Sequence, residues 1–292
     1  YDTNGNLTTI TPPSPLGATT MVPDSLSRPA SVTDAKNQKT TYSYDNLDRV
    51  TQLLFGGATT CTPSSGNCNT YSYDDDGNLT QRVDNTGTTT WAYDKLARLT
   101  KKTVPGAPTN TCTTPNDTGI TYTWDGVGNM ATMCDNGATI TYTYDAANRL
   151  TGIAEPGGNC TTPTQPCTTL GYDNANQRTS LTYPNGVAVT LGYDNAGHLT
   201  SDVAAKSGTN LVNLAYTWTS GTNDQDLRQK VVDSVASTTA TYAYDTLNRL
   251  CVAYNGTSPG TCASPTSGAN TYTYDGNGNR TAATIAGTSY TY

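Results

Sequence analysis

An aspartate follows an aromatic residue ten times in this chain, at Tyr1, Tyr44, Tyr73, Tyr93, Trp124, Tyr144, Tyr172, Tyr193, Tyr244 and Tyr274. Carboxylates can serve as general acids and bases, but that chemistry needs two of them in unlike surroundings. Here Asp45, Asp74, Asp94, Asp125, Asp145, Asp173, Asp194, Asp245 and Asp275 recur in like ones. They read as turn residues, each carboxylate accepting a backbone N–H two residues on. The single histidine, His198 in "YDNAGHLT", stands where sister copies carry Asn or Arg. With no second histidine and no Gly-x-Ser-x-Gly motif it builds no triad. "DDDGN" (Asp74–Asn78) gathers carboxylates as a calcium loop does, yet its spacing misses the EF-hand pattern and coincides with that copy's turn. The eight cysteines offer neither CxxC nor Cys/His zinc spacing. The sequence predicts no catalytic residue, no metal and no cofactor.

The elements that carry these aspartates are strands. The aromatics pair at period 2, as Tyr42/Tyr44, Tyr71/Tyr73, Trp91/Tyr93, Tyr122/Trp124, Tyr142/Tyr144, Tyr242/Tyr244 and Tyr272/Tyr274. Side chains two apart on a strand share a face. Gly-Asn or Asn-Arg then completes a turn, and Leu-Thr starts a return strand. Two kinds of copy alternate. "YDNLDRVT", "YDKLARLT", "YDAANRLT", "YDNAGHLT" and "YDTLNRLC" begin at 44, 93, 144, 193 and 244, a period of 49 to 51. "YDDDGNLT", "WDGVGNMA" and "YDGNGNRT" represent the other kind, and a degenerate copy sits at Trp218. The whole chain, 1–292, therefore reads as one antiparallel β-hairpin array of about 10–12 hairpins, paired in modules of about 50 residues. One hairpin is marginal in water, so each must lean on the next. The expected link is a ladder of aromatics, including Tyr172 and Tyr193, lying as cross-strand neighbours.

Composition agrees with a sheet that is wet on one side. Only 34% of the chain is hydrophobic and 13% charged, Thr makes up about a fifth, and 20 Tyr stand against one Phe. A net charge of −7 with scattered Lys and Arg argues against nucleic acid. Apolar runs are too short for a membrane-spanning helix. The cysteines bracket loops, and spacing suggests the disulfides Cys61–Cys68, Cys160–Cys167 and Cys251–Cys262, leaving Cys112–Cys134 across one hairpin. That pattern points to an oxidising compartment. Asn116, Asn159 and Asn255 are the loop sequons best placed as glycan acceptors. The chain opens on Tyr1-Asp2 and stops on "SYTY", in mid-repeat, which reads as a segment of something longer.

The "YDxxGN" and "YDxxxRLT" units, with "VTDAKNQKTTYSYD" (Val32–Asp45) as the fullest, resemble the YD-repeat or RHS-repeat family. That family includes bacterial RHS and wall-associated proteins, cocoon components of toxin complexes, and teneurins. The resemblance implies a long spiralling β-sheet, often closed into a hollow shell around a toxin domain. This chain is shorter than a shell requires and shows no recognisable self-cleaving core. The first expectation is thus a non-enzymatic, secreted or cell-surface structural protein of a fibre, filament or stalk. Its partners would be copies of itself end to end, or continuing repeats, with covalent glycans. The alternatives are a fragment of a toxin-delivering shell and an adhesion module that binds glycans.

Overall fold

The computed structural model describes residues 1–107, 109–110, 117–160, 166–218 and 226–292. The fold is all-β: 24 strands belong to one antiparallel sheet, and Thr109–Asn110 pairs with Asp117–Thr118 in a separate small ribbon. Among the described residues the helical element is a single 3-10 turn, Pro63–Ser65, and no helix is long and apolar enough to cross a membrane.

Residues Tyr1–Thr141 and Tyr142–Tyr292 form two compact units. In the first, Thr9–Ile10, Thr19–Pro23, Pro29–Thr33, Lys39–Tyr44, Val50–Phe55 and Cys68–Tyr73 pair in sequence order. Leu79–Asp84, Gly87–Tyr93, Leu99–Thr103, Ile120–Trp124 and Met130–Asp135 continue the meander. In the second, Leu150–Ala154, Cys167–Tyr172, Arg178–Thr182, Val187–Tyr193, Leu199–Lys206 and Thr209–Trp218 do the same. Arg228–Asp233, Thr238–Tyr244, Leu250–Asn255, Asn270–Tyr274, Arg280–Ile285 and Thr288–Thr291 complete it.

Strands end on the repeat's aromatic at Tyr44, Tyr73, Tyr93, Trp124, Tyr144, Tyr172, Tyr193, Trp218, Tyr244 and Tyr274. The chain then reverses within five residues. In the Tyr93 copy the N–H of Asp94 donates to the carbonyl of Arg98 at 2.9 Å, and that of Ala97 to Asp94 at 3.0 Å. The reversal needs a left-handed residue three after the aspartate, which is why Gly77, Gly128, Gly197 and Gly278 recur there. Asn148, Asn176 and Asn248 take that place in other copies, and Asp48 and Ala97 in two more. Just past each turn the register slips by one residue. Ser43 faces Gln52 but Tyr44 faces Val50, so Thr51 is extra. The same bulge follows Ser72, Ala92, Thr123, Gly171, Gly192, Thr217, Ala243 and Thr273. The Thr of "RLT" is thus a bulge residue. Thr100 there donates its hydroxyl to the carbonyl of Ala92 at 3.1 Å, supplying a bond that the slipped ladder loses.

The aspartate turns that follow the repeat's aromatic lie along one edge of each unit's sheet, because every second connection is such a turn, whereas the Asp34–Gln38 turn joins Pro29–Thr33 to Lys39–Tyr44 on the other edge. The opposite edge carries tight turns, such as Asn136-Gly137, and long loops. Disulfides join Cys61 to Cys68, Cys160 to Cys167 and Cys251 to Cys262, closing three of those loops. The Cys112–Cys134 pairing falls on Cys112, which lies outside the described residues. Burial is thin: Val252 and Cys68 are the largest side chains fully removed from solvent. Cys251, Val252 and Ala269 form one small cluster, with Ala243 and Tyr254 against it.

Ala97 holds a φ of +57° where sister copies carry glycine. A non-glycine residue in that region costs about 1–2 kcal/mol. Ala97→Gly is therefore expected to raise the urea midpoint, and Gly278→Ala, at φ +88° with open space around it, to lower it. Equilibrium unfolding of the two variants beside the parent checks both signs.

Candidate functional site

The repeated aspartate is a clamp. In the Tyr93 copy, Asp94 Oδ1 accepts the N–H of Leu96 at 2.9 Å and of Arg98 at 3.0 Å, while Oδ2 accepts Arg98 Nε at 2.7 Å. Asp45 and Arg49, Asp145 and Arg149, and Asp245 and Arg249 repeat that geometry. Where the fourth residue is asparagine, its amide replaces the guanidinium, as in Asn78 Nδ2 to Asp74 Oδ2 at 3.0 Å and Asn279 Nδ2 to Asp275 Oδ2 at 2.9 Å.

Arginine does more than close its own turn. Arg98 Nη1 donates to the carbonyl of Asp125 in the next hairpin at 3.2 Å, and its guanidinium carbon lies 5.6 Å from the centre of the Trp124 ring. Arg49 reaches Asp74 at 3.0 Å and covers Tyr73 at 4.7 Å. Arg149 reaches Asp173 at 2.8 Å and covers Tyr172 at 4.8 Å. Arg249 reaches Asp275 at 2.8 Å and covers Tyr274 at 4.7 Å. Stacking of this kind contributes about 0.5–1 kcal/mol per pair at partly exposed sites.

The aromatic closes the rung from the other side. The Tyr73 hydroxyl donates to the carbonyl of Val50 at 2.8 Å, Tyr93 to Leu79 at 3.0 Å, and Trp124 Nε1 to Leu99 at 2.9 Å. Tyr172 reaches Leu150 at 2.9 Å, Trp218 reaches Leu199 at 2.8 Å, and Tyr274 reaches Leu250 at 2.8 Å. Each acceptor lies just beyond the ladder. The Val50–Phe55 strand pairs with its neighbour from Gln52 inward, so Val50 is left outside it. The phenol or indole tip satisfies that carbonyl. The place at the hairpin end thus favours an aromatic that can donate, and among the described residues the aromatic that fills it is Tyr or Trp, never the single Phe55.

This linkage differs from a ladder of ring on ring. Tyr42 faces Leu53, Tyr44 faces Val50, Tyr73 faces Leu79, Tyr93 faces Leu99 and Tyr244 faces Leu250. Likewise Tyr71 faces Arg82, Trp91 faces Lys102, Tyr122 faces Met133, Tyr242 faces Ala253 and Tyr272 faces Ala283. Rings of successive hairpins are two strand spacings apart, roughly 9.5 Å. Paired aromatics need centroids about 4.5–7 Å apart. Arginine and aliphatic side chains fill the interval instead. The one stacked tyrosine pair among the described residues, Tyr42 and Tyr44 at 6.4 Å, lies along a single strand.

Sequence reasoning missed two clamps, Asp34, which accepts the N–H groups of Lys36 and Gln38 at 2.8 Å, and Asp24. Asp24 binds the N–H groups of Leu26 and Arg28 and the Arg28 Nε, with Pro23 in the aromatic's place. "PDSLSRP" carries the signal, since Asp-x-x-x-Arg survives the loss of the ring. Of the glycan acceptor candidates, Asn255 ends its strand exposed, Asn159 lies just before the loop that Cys160–Cys167 closes, and Asn116 falls outside the described residues.

A fold of this kind defines a tandem β-hairpin repeat protein, keyed by a carboxylate clamp at every second connection. The chain carries RHS repeats: the RHS Repeat model matches residues 24–60, 73–109, 134–159 and 172–209, the first match starting at the cryptic Asp24 copy. No curated protein sequence matches it. Among solved structures, a TcdB2-TccC3-TEV crystal structure is similar at 18% identity and a TM-score of 0.62, over 100% of this chain and 16% of that one. A Photorhabdus luminescens Tc holotoxin pore is similar at 17% identity and a TM-score of 0.59, over 92% of this chain and 15% of that one. At such identities the likeness is one of fold, and the chain spans about a sixth of those structures' length.

The clamp also sets the acid limit of the fold. The Arg98 guanidinium, then the backbone N–H groups, hold Asp94 below the usual carboxylate range. The backbone N–H and side chain of Arg149 do so for Asp145, and the Asn78 amide for Asp74. Depressed carboxyls stabilise the fold above their unfolded value and lose that contribution as pH falls through the folded one. Stability is expected to hold from neutral pH down to about pH 4 and to drop below it, as read by circular dichroism across an acid titration. Tyr73→Phe, which strands the Val50 carbonyl, is expected to cost about 1 kcal/mol in urea unfolding.

Proposed function

We propose that this chain is a stretch of wall in a hollow RHS-type β-shell that encloses and delivers a toxic cargo, and that its role is architectural rather than catalytic. The observation that carries this reading is the match of fold along 100% of the chain to one part of a TcdB2-TccC3 structure, 16% of its length. The partners it implies are further repeats of the same kind continuing the sheet. Its two end strands, Thr9–Ile10 and Thr288–Thr291, pair along one side with Thr19–Pro23 and Arg280–Ile285 respectively. Further strands can add there without a change of chemistry. Three disulfide-closed loops support assembly in an oxidising, exported setting.

The fibre or stalk expected from chain length uses the same sheet and differs only in whether the array closes. Electron microscopy of the product of the complete coding sequence separates them. Discrete hollow particles whose contents resist added protease are the expected result. Long filaments, or open sheets with no enclosed volume, would return the fibre to first place.

A further inference from the structure

The geometry points to a proton-gated seam at the single histidine, where the hairpin turning at Asp194 meets the strand that ends at Trp218. His198 occupies the arginine position of its turn. Its Nδ1 lies 2.9 Å from Asp194 Oδ2 and its Nε2 2.7 Å from Asp226 Oδ1, and the ring stacks on Trp218 with centres 4.9 Å apart. The side chain is 10% exposed. It therefore makes the same bridge that arginines make elsewhere: own carboxylate, next ring, next turn. Arg149 reaches Asn176 and Arg28 reaches Asp48, and those residues share with Asp226 the left-handed place in the following turn.

Both acceptors are carboxylate oxygens, which have only lone pairs to offer when ionised. Holding both contacts as hydrogen bonds requires a proton on each ring nitrogen, so the bridge is an imidazolium. When one proton leaves to solvent, one contact sets a nitrogen lone pair against a carboxylate oxygen. A guanidinium in the same place stays charged across the working pH range. Histidine thus converts a permanent bridge into one that titrates near neutrality. Among the described residues, the charged groups facing the ring are Asp194 from its own turn and Asp226 from the next. The preceding hairpin presents Gln177, which is uncharged and bonds the carbonyl of Gly197 at 3.2 Å.

Hydrogen bonding to Asp194, then to Asp226, raises the imidazole's proton affinity above its ordinary 6.5. The sign follows from linkage: a raised folded value stabilises below the unfolded one, and the contribution is lost as pH rises through the folded value. The seam is firm in mild acid and loosens toward alkaline pH, opposite to the aspartate clamps. The inference rests on side-chain geometry and holds whether the array is a shell or a fibre.

Because the chain has one histidine, its ring protons report without assignment ambiguity. The test is an NMR titration of that ring in the intact protein and in Asp226→Asn, with urea midpoints at about pH 6 and about pH 9 for the parent and His198→Arg. Expected are a ring midpoint above 6.5 that falls in Asp226→Asn, and a urea midpoint that drops at alkaline pH in the parent while His198→Arg stays level. A ring midpoint at or below 6.5, or an equal alkaline loss in His198→Arg, overturns the proposal. Should the arginine variant not fold, the two ring titrations decide.

Discussion

A carboxylate that accepts two backbone N–H groups within five residues is the constraint on which this architecture depends. It fixes where each strand stops, and it does so locally, before any long-range contact has formed. Asp94, Asp145 and Asp245 each position the fourth residue of the turn so that its side chain projects toward the next hairpin. The clamp is thus both the end of one element and the start of its attachment to the following one. An array with little buried apolar volume can be specified this way, because registry is set turn by turn rather than by packing a shared core.

In most copies the identity of that fourth residue follows the covalent connection on the far edge. Arg49, Arg98, Arg149 and Arg249 each face a neighbour reached through a long loop. Asn78 faces a neighbour joined through the tight turn after Asp84, where the chain itself already holds the two strands together. A long loop leaves two hairpins with more freedom to lose. The guanidinium supplies a hydrogen bond and a ring contact at the edge where that freedom would show. Disulfides restrain three of those loops, the ones after Arg49, Arg149 and Arg249, from the opposite side. Asn6, before the loop 11–18, and Arg28, before the short Asp34–Gln38 turn, depart from this rule, and so does His198, whose neighbour follows the short Ser207-Gly208 turn. That junction has covalent support enough to tolerate a bridge that titrates.

Such a sheet suits a wall. Few side chains are fully buried, so the area of such a sheet can grow without a growing core. Tyrosine fits this role because it buries ring surface while its hydroxyl bonds the carbonyl left beyond the ladder, as Tyr73 does at Val50. The aspartates, repeated in like settings, are saturated by their own turns. Their chemistry is structural for that reason, and nothing in their surroundings sets one apart as an acid and another as a base.

The repeat, the strand ends and the all-β class were legible in the sequence because they are local. An aromatic followed by aspartate, then glycine or asparagine three positions later, encodes a reversal that needs no distant partner. Nine strands end on an aromatic that aspartate follows for that reason. Asp24 escaped notice because Pro23 replaces the ring, although the carboxylate and Arg28 remain. What the rings touch was not legible. A period-2 pattern tells which face a side chain takes but not the distance to the next hairpin's ring. That distance is two strand spacings, and tertiary pairing alone places Leu, Val or Arg between. The role of His198 lay beyond sequence for the same reason: its second carboxylate, Asp226, is 28 residues away and comes within reach only once the strands between them have paired.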